Sequence, residues 1–540
     1  MRKNLKKASA LLKVFCAAAA GAVCILMCQS CTAAVKSNSA TESNGTEMAN
    51  TSSTNTDVTE IKQFKVDGTK ILDPDGNEFN IRGVNVNGPG WVFPRDTLQD
   101  VSLITDVWKF NTVRMCCAIG WQWATNNNSD LDALIKAFTD KGIVVILEVH
   151  DYTGSYPTDT EQPKYDGSNV VGYIPSLTEL TQWWVDKANR FKTNPYVWFN
   201  TMNEPGSDNS KASADQWLQI NDGLIKAIRD AGADNIVVLD EHGWGQGSGY
   251  YDGASSYDSA IIRMGPTLIA KYDNIVFSLH VYDAWRDGIT RFNNYFTDAR
   301  NLNLCVIVGE FGVGTDNVSQ MNAVKNMYNS VIPNNIGRIY WAWDDGGLPL
   351  TANTANCGWQ IDKTDGSKPT NLTWAGGLVW DDAHGQLTAP VPDYSSDMPL
   401  LTNGDLENGF PGGWADWGGT SIQDGVSYNG SKAMVVASGA TGGGGCAMEL
   451  KPNTTYTFTA WGKNDAKTTA STDVGIQYKL SADDPQNQYK IVSFTTDQWV
   501  QKSVTFTTPA EMYSVSLFVW KPNAGVTFYL DDMTLTEAAQ

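Results

Sequence analysis

Short apolar runs alternate with amphipathic stretches eight times between residues 79 and 343, and this alternation limits the fold of the chain more than any other feature. The apolar runs fall at 79–86, 112–118, 144–151, 196–204, 235–239, 275–281, 305–310 and 338–343. Between them lie stretches such as 131–139, 180–191, 216–229 and 320–331, where apolar residues recur every three or four positions, as on one face of a helix. No Gly-rich phosphate loop follows the first run, so a doubly wound open sheet fits less well than an α/β architecture of the TIM type, a (β/α)8 barrel. Ahead of the first run, 64–77 carries two turn signals between short alternating runs and predicts a hairpin that closes the bottom of the barrel.

The chain has 540 residues, too many for one ordinary core. Beyond about residue 391 the helical period stops, and Thr, Val, Tyr and Trp alternate between Gly and Asn turns, which predicts an all-β sandwich over 398–540. The barrel is expected over 61–390. Residues 35–60 are Ser, Thr, Asn and Glu with almost nothing apolar and read as a flexible linker. At the start, Arg2, Lys3, Lys6 and Lys7 precede an apolar run over 14–27, the length of a signal-peptide core and short for a membrane span. Residues 1–34 are therefore expected to direct export, with cleavage either after Ala34 or before a lipidated Cys31, which would make the protein secreted or a bacterial cell-surface lipoprotein.

Loss of Arg2, Lys3, Lys6, Lys7 and Lys13 with that segment takes the formal charge from −20 to −25. So acidic a surface repels phosphate backbones and argues against nucleic acid as a partner, while a neutral polysaccharide is permitted. Four of the nine cysteines fall in the export segment; the remaining five are odd in number, have no metal-type spacing, and read as buried thiols. A monomer is expected.

Two apolar runs end in carboxylates, the segment from Val197 to Pro205 at Glu204 and the segment from Cys305 to Gly312 at Glu310. A residue where a buried strand meets solvent is placed rigidly and still reaches a substrate, so a pair of them suggests paired acid/base chemistry. The chain has only four histidines, and three of them, His150, His242 and His280, stand at or just past the ends of proposed strands. No two have the spacing of a helical zinc motif, which favours polar contacts to hydroxyls. Arg114, Tyr282 and Trp343 end strands as well; Arg can lower a carboxylate pKa, Tyr can hold its oxygen, and Trp offers a flat face to a sugar ring.

With these motifs in this order, residues 61 to 390 resemble glycoside hydrolase family 5, a family of retaining barrels with an Asn-Glu acid/base. The resemblance implies that Glu204 is the general acid/base, held protonated, and Glu310 the nucleophile, with no cofactor for catalysis. It implies that Asn203 bonds the sugar 2-hydroxyl, that Arg114 and Tyr282 support Glu310, that His150 and His280 line the cleaved sugar's site, and that Trp343 is its stacking platform. The segments around Glu148-Val149-His150-Asp151, Gly243-Trp244-Gly245-Gln246 and His280-Val281-Tyr282 look most like the bacterial β-mannanase subfamily. That implies endo-cleavage of β-1,4-mannan, with Trp244 as a further sugar contact. Residues 118–123, Gly206-Ser207 and Asp344-Asp345 depart from that subfamily in substrate-facing loops, so a glucan or glucomannan preference stays open. From another class, a barrel that only binds glycan is the alternative.

The last domain resembles carbohydrate-binding modules of the family 4, 9 and 22 type. This implies a structural calcium with Asp405, Glu407 and Asp531 as oxygen ligands, and sugar platforms among Trp414, Trp417, Trp461 and Trp520. Such a module raises the effective concentration of enzyme on a β-1,4-glycan polymer and adds no chemistry.

Overall fold

The computed structural model describes residues 62–538, apart from 90–95, 123–127, 167, 209, 248–258, 286–287, 315–316, 353–356, 393–399, 402, 440 and 481–485. The expected export segment, its Cys31 and the linker therefore lie outside the described residues. Strands β1 (Lys65–Asp67) and β2 (Lys70–Leu72) form the antiparallel hairpin expected from the turn signals. Then come β3 (Arg82–Asn87), β4 (Thr112–Cys117), helix α1 (Asn128–Thr139) and β5 (Val144–Val149). A second hairpin of β6 (Gln162–Asp166) and β7 (Asn169–Ile174) leads to α2 (Leu177–Phe191), β8 (Val197–Asn200), α3 (Lys211–Asp230) and β9 (Val237–Asp240). The remainder is α4 (Ala260–Ile269), β10 (Ile275–Val281), α5 (Ile289–Asn301), β11 (Val306–Phe311), α6 (Val318–Val331), β12 (Arg338–Tyr340) and α7 (Trp374–Ala383).

Strands β3, β4, β5, β8, β9, β10, β11 and β12 close into one parallel barrel, each expected run supplying one strand. Successive side chains on a strand point to opposite faces, and the sequence uses this to separate two cores. Val145, Leu147 and Val149 of β5 face outward into the layer under the helices, whereas Val144 and Ile146 face the barrel interior with Ile81, Trp198, Val238, Val276, Ile307 and Ile339. The hairpin residues Phe64 and Ile71 belong to this interior core and plug its lower end. Higher in the barrel the same inward column becomes polar: Arg114 on β4, Glu148 on β5, Asn200 on β8, Asp240 on β9 and His280 on β10, all buried. A register shift between Leu279 and His280 sets His280 opposite Glu310 on β11. Among the described residues no helix is long and apolar enough to cross a membrane.

The C-terminal strands are β13 (Ala415–Asp416), β14 (Thr420–Asp424), β15 (Lys432–Val436), β16 (Gly442–Ala447), β17 (Thr455–Asn464), β18 (Thr472–Lys479), β19 (Gln488–Phe494), β20 (Val500–Thr507), β21 (Ser514–Lys521) and β22 (Phe528–Glu537). They make two five-stranded sheets, β13-β16-β21-β18-β19 and β14-β15-β22-β17-β20. Alternation along β17 buries Tyr456, Phe458 and Ala460 between the sheets with Val474, Ile476, Leu517, Val519, Phe528 and Leu530, a sandwich core of the expected kind. The cysteines Cys116, Cys117, Cys305, Cys357 and Cys446 are all buried, as small apolar residues are.

Candidate active site

An open cavity of about 360 Å3 at the C-terminal end of the barrel is lined by His150, Asn203, Glu204, Trp244, Gln246, Tyr282, Glu310 and Trp341. Beneath it the buried Arg114 uses its whole fork. Its Nη1 donates to Glu310 Oε1 at 2.8 Å and to Asn85 Oδ1 at 3.0 Å, its Nη2 to Asp240 Oδ2 at 2.9 Å and to Asn203 Oδ1 at 2.7 Å, and its Nε to Asn200 Oδ1 at 2.8 Å. Burial alone would disfavour the guanidinium charge, but Asp240, Glu148 and Glu310 reverse that and raise its pKa. Because Asn203 gives its carbonyl to Arg114, its amide nitrogen is turned outward, where it donates to Thr153 Oγ1 at 2.8 Å.

Glu310 lies on β11 and accepts a second hydrogen bond, from the Tyr282 hydroxyl to Oε2 at 3.0 Å. Burial, chiefly, holds the Tyr282 phenol well above its usual range, so it stays a donor. Burial also pushes the Glu310 carboxyl up, and Glu204 adds to this, while His280 and Arg114 pull the other way. Strand β8 stops at Asn200, so Glu204 sits four residues past it, on a loop, with φ of +43°. Its amide donates to Asp240 Oδ2 at 3.3 Å, and its Oε1 lies 2.8 Å from His280 Nδ1. The same nitrogen is 3.5 Å from Glu310 Oε2, and His280 Nε2 is 3.3 Å from Asp240 Oδ2. Desolvation works against the His280 imidazolium, but the charges of Glu310 and Asp240 and hydrogen bonds to Asp240 and Glu204 outweigh it and raise its pKa to about 10. One oxygen of Glu204, one of Glu310 and the His280 nitrogen all lie within 4.8 Å of one another.

Trp244 is 38% exposed and sits at the cavity wall, its amide donating to Gly206 O at 2.9 Å. A side-chain carbon on Gly154, where φ is +70°, would come within 2.4 Å of that indole, so only glycine leaves room for it. His150 also lines the cavity, with Nδ1 2.8 Å from Glu148 Oε1.

Trp343 does not do what its position suggested. It is fully buried (0% exposed), packs edge-on against Trp108 and donates its indole N–H to Asp100 Oδ2 at 3.0 Å. The chain leaves β12 after Tyr340, and it is Trp341 that faces the cavity, nearly parallel to His150 with ring centroids 5.2 Å apart. Asp345 fixes Trp341 through the indole N–H at 2.9 Å. His242 is likewise turned away from the cavity, buried, with Nδ1 3.2 Å from Ser213 Oγ. Asp240, Glu148, Asn85, Asn200, Gln246 and Trp341 escaped the sequence reading as site residues. The signal for the first two was present, as single carboxylates on the inward side of apolar strands.

Residues 72–347, half of the chain, match the family described as Cellulase (glycosyl hydrolase family 5). The chain belongs to glycosyl hydrolase family 5. Residues 399–525 match the carbohydrate binding domain family CBM_4_9. Among family 5 relatives, the chain is 25% identical to a mannan endo-1,4-beta-mannosidase of Cellvibrio japonicus, over 70% of this chain and 80% of that protein. It is also 25% identical to one of Streptomyces lividans, over 69% and 88%. Among solved structures, the β-mannanase from Thermomonospora fusca is 22% identical, covering 62% of this chain and 98% of that one with a TM-score of 0.46. As a family 5 member the protein is a glycoside hydrolase, and the cavity holds the paired carboxylates that such chemistry requires.

In the module, Trp417 and Trp520 are 49% and 42% exposed. Trp520 pairs with Gly443 on β16, and the Trp417 ring lies over Gly445, on the same outer face of that sheet. Trp461 is covered by Tyr428, the rings stacked with centroids 3.6 Å apart, and Trp414 is half-buried against Phe410. The calcium expectation meets a different geometry. Glu407 accepts the amides of Ser431 and Lys432, Asp531 accepts those of Tyr428 and Asn429, and Asp405 accepts that of Glu407. Among the described residues Asp405, Glu407 and Asp531 are not gathered into one cluster of ligand atoms.

Proposed function

We propose that the chain is an exported, retaining endo-β-1,4-mannan hydrolase acting by double displacement, with Glu310 as nucleophile and Glu204 as general acid/base. The separation of the two carboxylates carries this reading. One oxygen of each lies within 4.8 Å of one of the other, short of the roughly 6.5 to 9.5 Å that an inverting pair needs for an intervening water and so on the side of a retaining pair.

Burial and Glu204 push the Glu310 carboxyl up, but Arg114 and Tyr282 both donate to it and Arg114 and His280 pull the other way, which suits it to the nucleophile's role. The acid role then falls to Glu204, and because His280 occupies its Oε1, Oε2 is the oxygen placed to hand a proton to the leaving group. In the first step that proton passes to the glycosidic oxygen as a Glu310 oxygen attacks the anomeric carbon; the glycosidic bond breaks and a glycosyl-Glu310 ester forms. In the second, Glu204 takes a proton from water, which attacks the same carbon and frees Glu310. Trp341 supplies the flat face for the sugar ring, and His150, Asn203 and Trp244 the surrounding contacts.

The choice of mannan is supported by the names of the two relatives and by the motifs around His150, Trp244 and His280. In the module, Trp417 and Trp520 would hold polysaccharide. The basic, then apolar, opening segment supports export, and lipidation at Cys31 would tether the enzyme to the cell surface; fatty-acid label that persists in Cys31→Ala would remove the tether. The deciding experiment is reducing-sugar release from galactomannan, glucomannan, carboxymethylcellulose and xylan by the intact protein and by Glu310→Ala. Release from both mannans, abolished by the substitution, is expected. Release from carboxymethylcellulose alone would assign a cellulase, as the family's description allows, and no release at all would overturn the reading.

A further inference from the structure

Strand β8 stops at Asn200 and leaves Glu204 on a loop, so the barrel sheet does not itself fix the acid/base. Two neighbouring loops do. The loop after β5 runs antiparallel to it: Thr153 pairs with Pro205, Gly154 N donates to Glu204 O at 2.8 Å, and Gly206 N donates to Ser155 O at 3.0 Å. On the other side lies the turn after β9, where Gly243, Trp244 and Gly245 are all left-handed, with φ of +61°, +59° and +68°. In that turn Trp244 N donates to Gly206 O at 2.9 Å, and Gly245 O accepts from His280 N at 2.8 Å. A side-chain carbon on Gly245 would come within 2.7 Å of His280 Nδ1, the atom that stands 2.8 Å from Glu204 Oε1. The turn therefore touches both the main chain of the Glu204 loop and the ring against the Glu204 carboxyl.

A left-handed backbone is disfavoured for a bulky side chain and persists where the surroundings over-determine it. For Trp244 the extra hold comes from Gly154. A side-chain carbon there would lie 2.4, 2.5 and 2.6 Å from three atoms of the six-membered indole ring, so the ring rests directly on the glycine backbone. Gly154 thus meets Glu204 through its N–H and Trp244 through its bare α-carbon, and joins the two flanking loops across the acid/base. A sugar contact alone asks for an exposed indole face; it asks for neither a left-handed backbone nor a glycine under the ring.

We infer that Gly154 is a positioning residue for the general acid: it seats the Trp244 indole, and the seated turn holds Glu204 where its Oε2 faces the glycosidic oxygen. This rests on the reading of Glu204 as acid/base. The test is the leaving-group dependence of the first step, measured as kcat/KM on aryl β-mannobiosides with aryl β-cellobiosides beside them. Departure of phenol needs the proton from Glu204, whereas departure of dinitrophenol does not. Gly154→Ala keeps the N–H to Glu204 O and changes only the seat. Its kcat/KM should fall about a hundredfold on the phenyl glycoside, as for an acid misplaced by about 1 Å, and stay within about twofold of wild type on the dinitrophenyl glycoside. Trp244→Ala should steepen the dependence in the same way, and the double variant should be no worse than Trp244→Ala, because both substitutions act through one contact. An equal fall on every leaving group, or wild-type kinetics, in Gly154→Ala and Trp244→Ala would overturn the inference and leave Trp244 a sugar contact only. If Gly154→Ala does not fold, Trp244→Ala, at a residue 38% exposed, still decides. A wild-type protein inactive on both series would overturn the reading of Glu204 itself, and the inference with it.

Discussion

The Arg114 guanidinium lies 2.8 Å from the Glu310 carboxylate with both side chains buried, and its other terminal nitrogen lies 2.9 Å from Asp240. Removing the cation takes the closest positive charge from two buried carboxylates in a low-dielectric site and leaves them His280, 3.3 Å from Asp240 and 3.5 Å from Glu310. Arg114→Met is therefore expected to lower unfolding free energy by about 3–5 kcal/mol and to abolish turnover. Urea unfolding with parallel kinetics checks this; a loss below about 1 kcal/mol would mean that Asp240 and Glu310 are neutral in the folded protein.

His280 links pH to stability. Its folded-state pKa is raised to about 10, above the unfolded value of about 6.5. A raised histidine contributes stability that is fully present below the unfolded pKa and is lost as pH rises through the folded one. Tm should therefore decline from near neutrality toward pH 10, and His280→Gln should be less stable than wild type at pH 6 with a flatter profile. Parallel Tm curves for the two proteins would contradict this.

Trp341 and Trp343 should separate stability from function. Trp343→Ala opens the packing against Trp108 and leaves Asp100 without its indole donor, at a cost of about 3–5 kcal/mol. Trp341→Ala should leave the melting curve nearly unchanged and raise KM for mannohexaose. Thermal melts beside Michaelis kinetics would expose the reverse pattern if Trp343 were the platform after all.

Glu204→Ala should retain the first step on a substrate whose leaving group needs no proton, such as a dinitrophenyl β-mannobioside, and stall at the glycosyl-enzyme. Added azide should restore turnover as a β-glycosyl azide, seen by NMR; an α-azide would mean inversion and a different pair of roles.

In the module, Trp417→Ala with Trp520→Ala should abolish retention on insoluble mannan while leaving hydrolysis of soluble oligosaccharide intact. EDTA should not shift the module's melting, because among the described residues Asp405, Glu407 and Asp531 do not gather into one ligand cluster. A fall in Tm that calcium restores would reinstate the metal.

The alternation of runs predicted eight barrel strands and all eight formed, because a strand buried on both faces leaves a periodic signature that no loop mimics. Glu204 and Glu310 were legible for a similar reason: each ends an apolar run at the rim. Ends of strands were less legible. Because β8 stops at Asn200 and β12 at Tyr340, Glu204 lies on a loop and Trp341 takes the place expected of Trp343.

By itself, then, the sequence determined the barrel, the sandwich and the two rim glutamates, since each follows from the local period of apolar residues. Only the tertiary structure decided that Trp341 faces the cavity, that Glu148 backs His150, and that Asp240 gathers Arg114 and His280. Those relations join strands far apart in the chain or depend on where a strand stops, and a one-dimensional period carries neither.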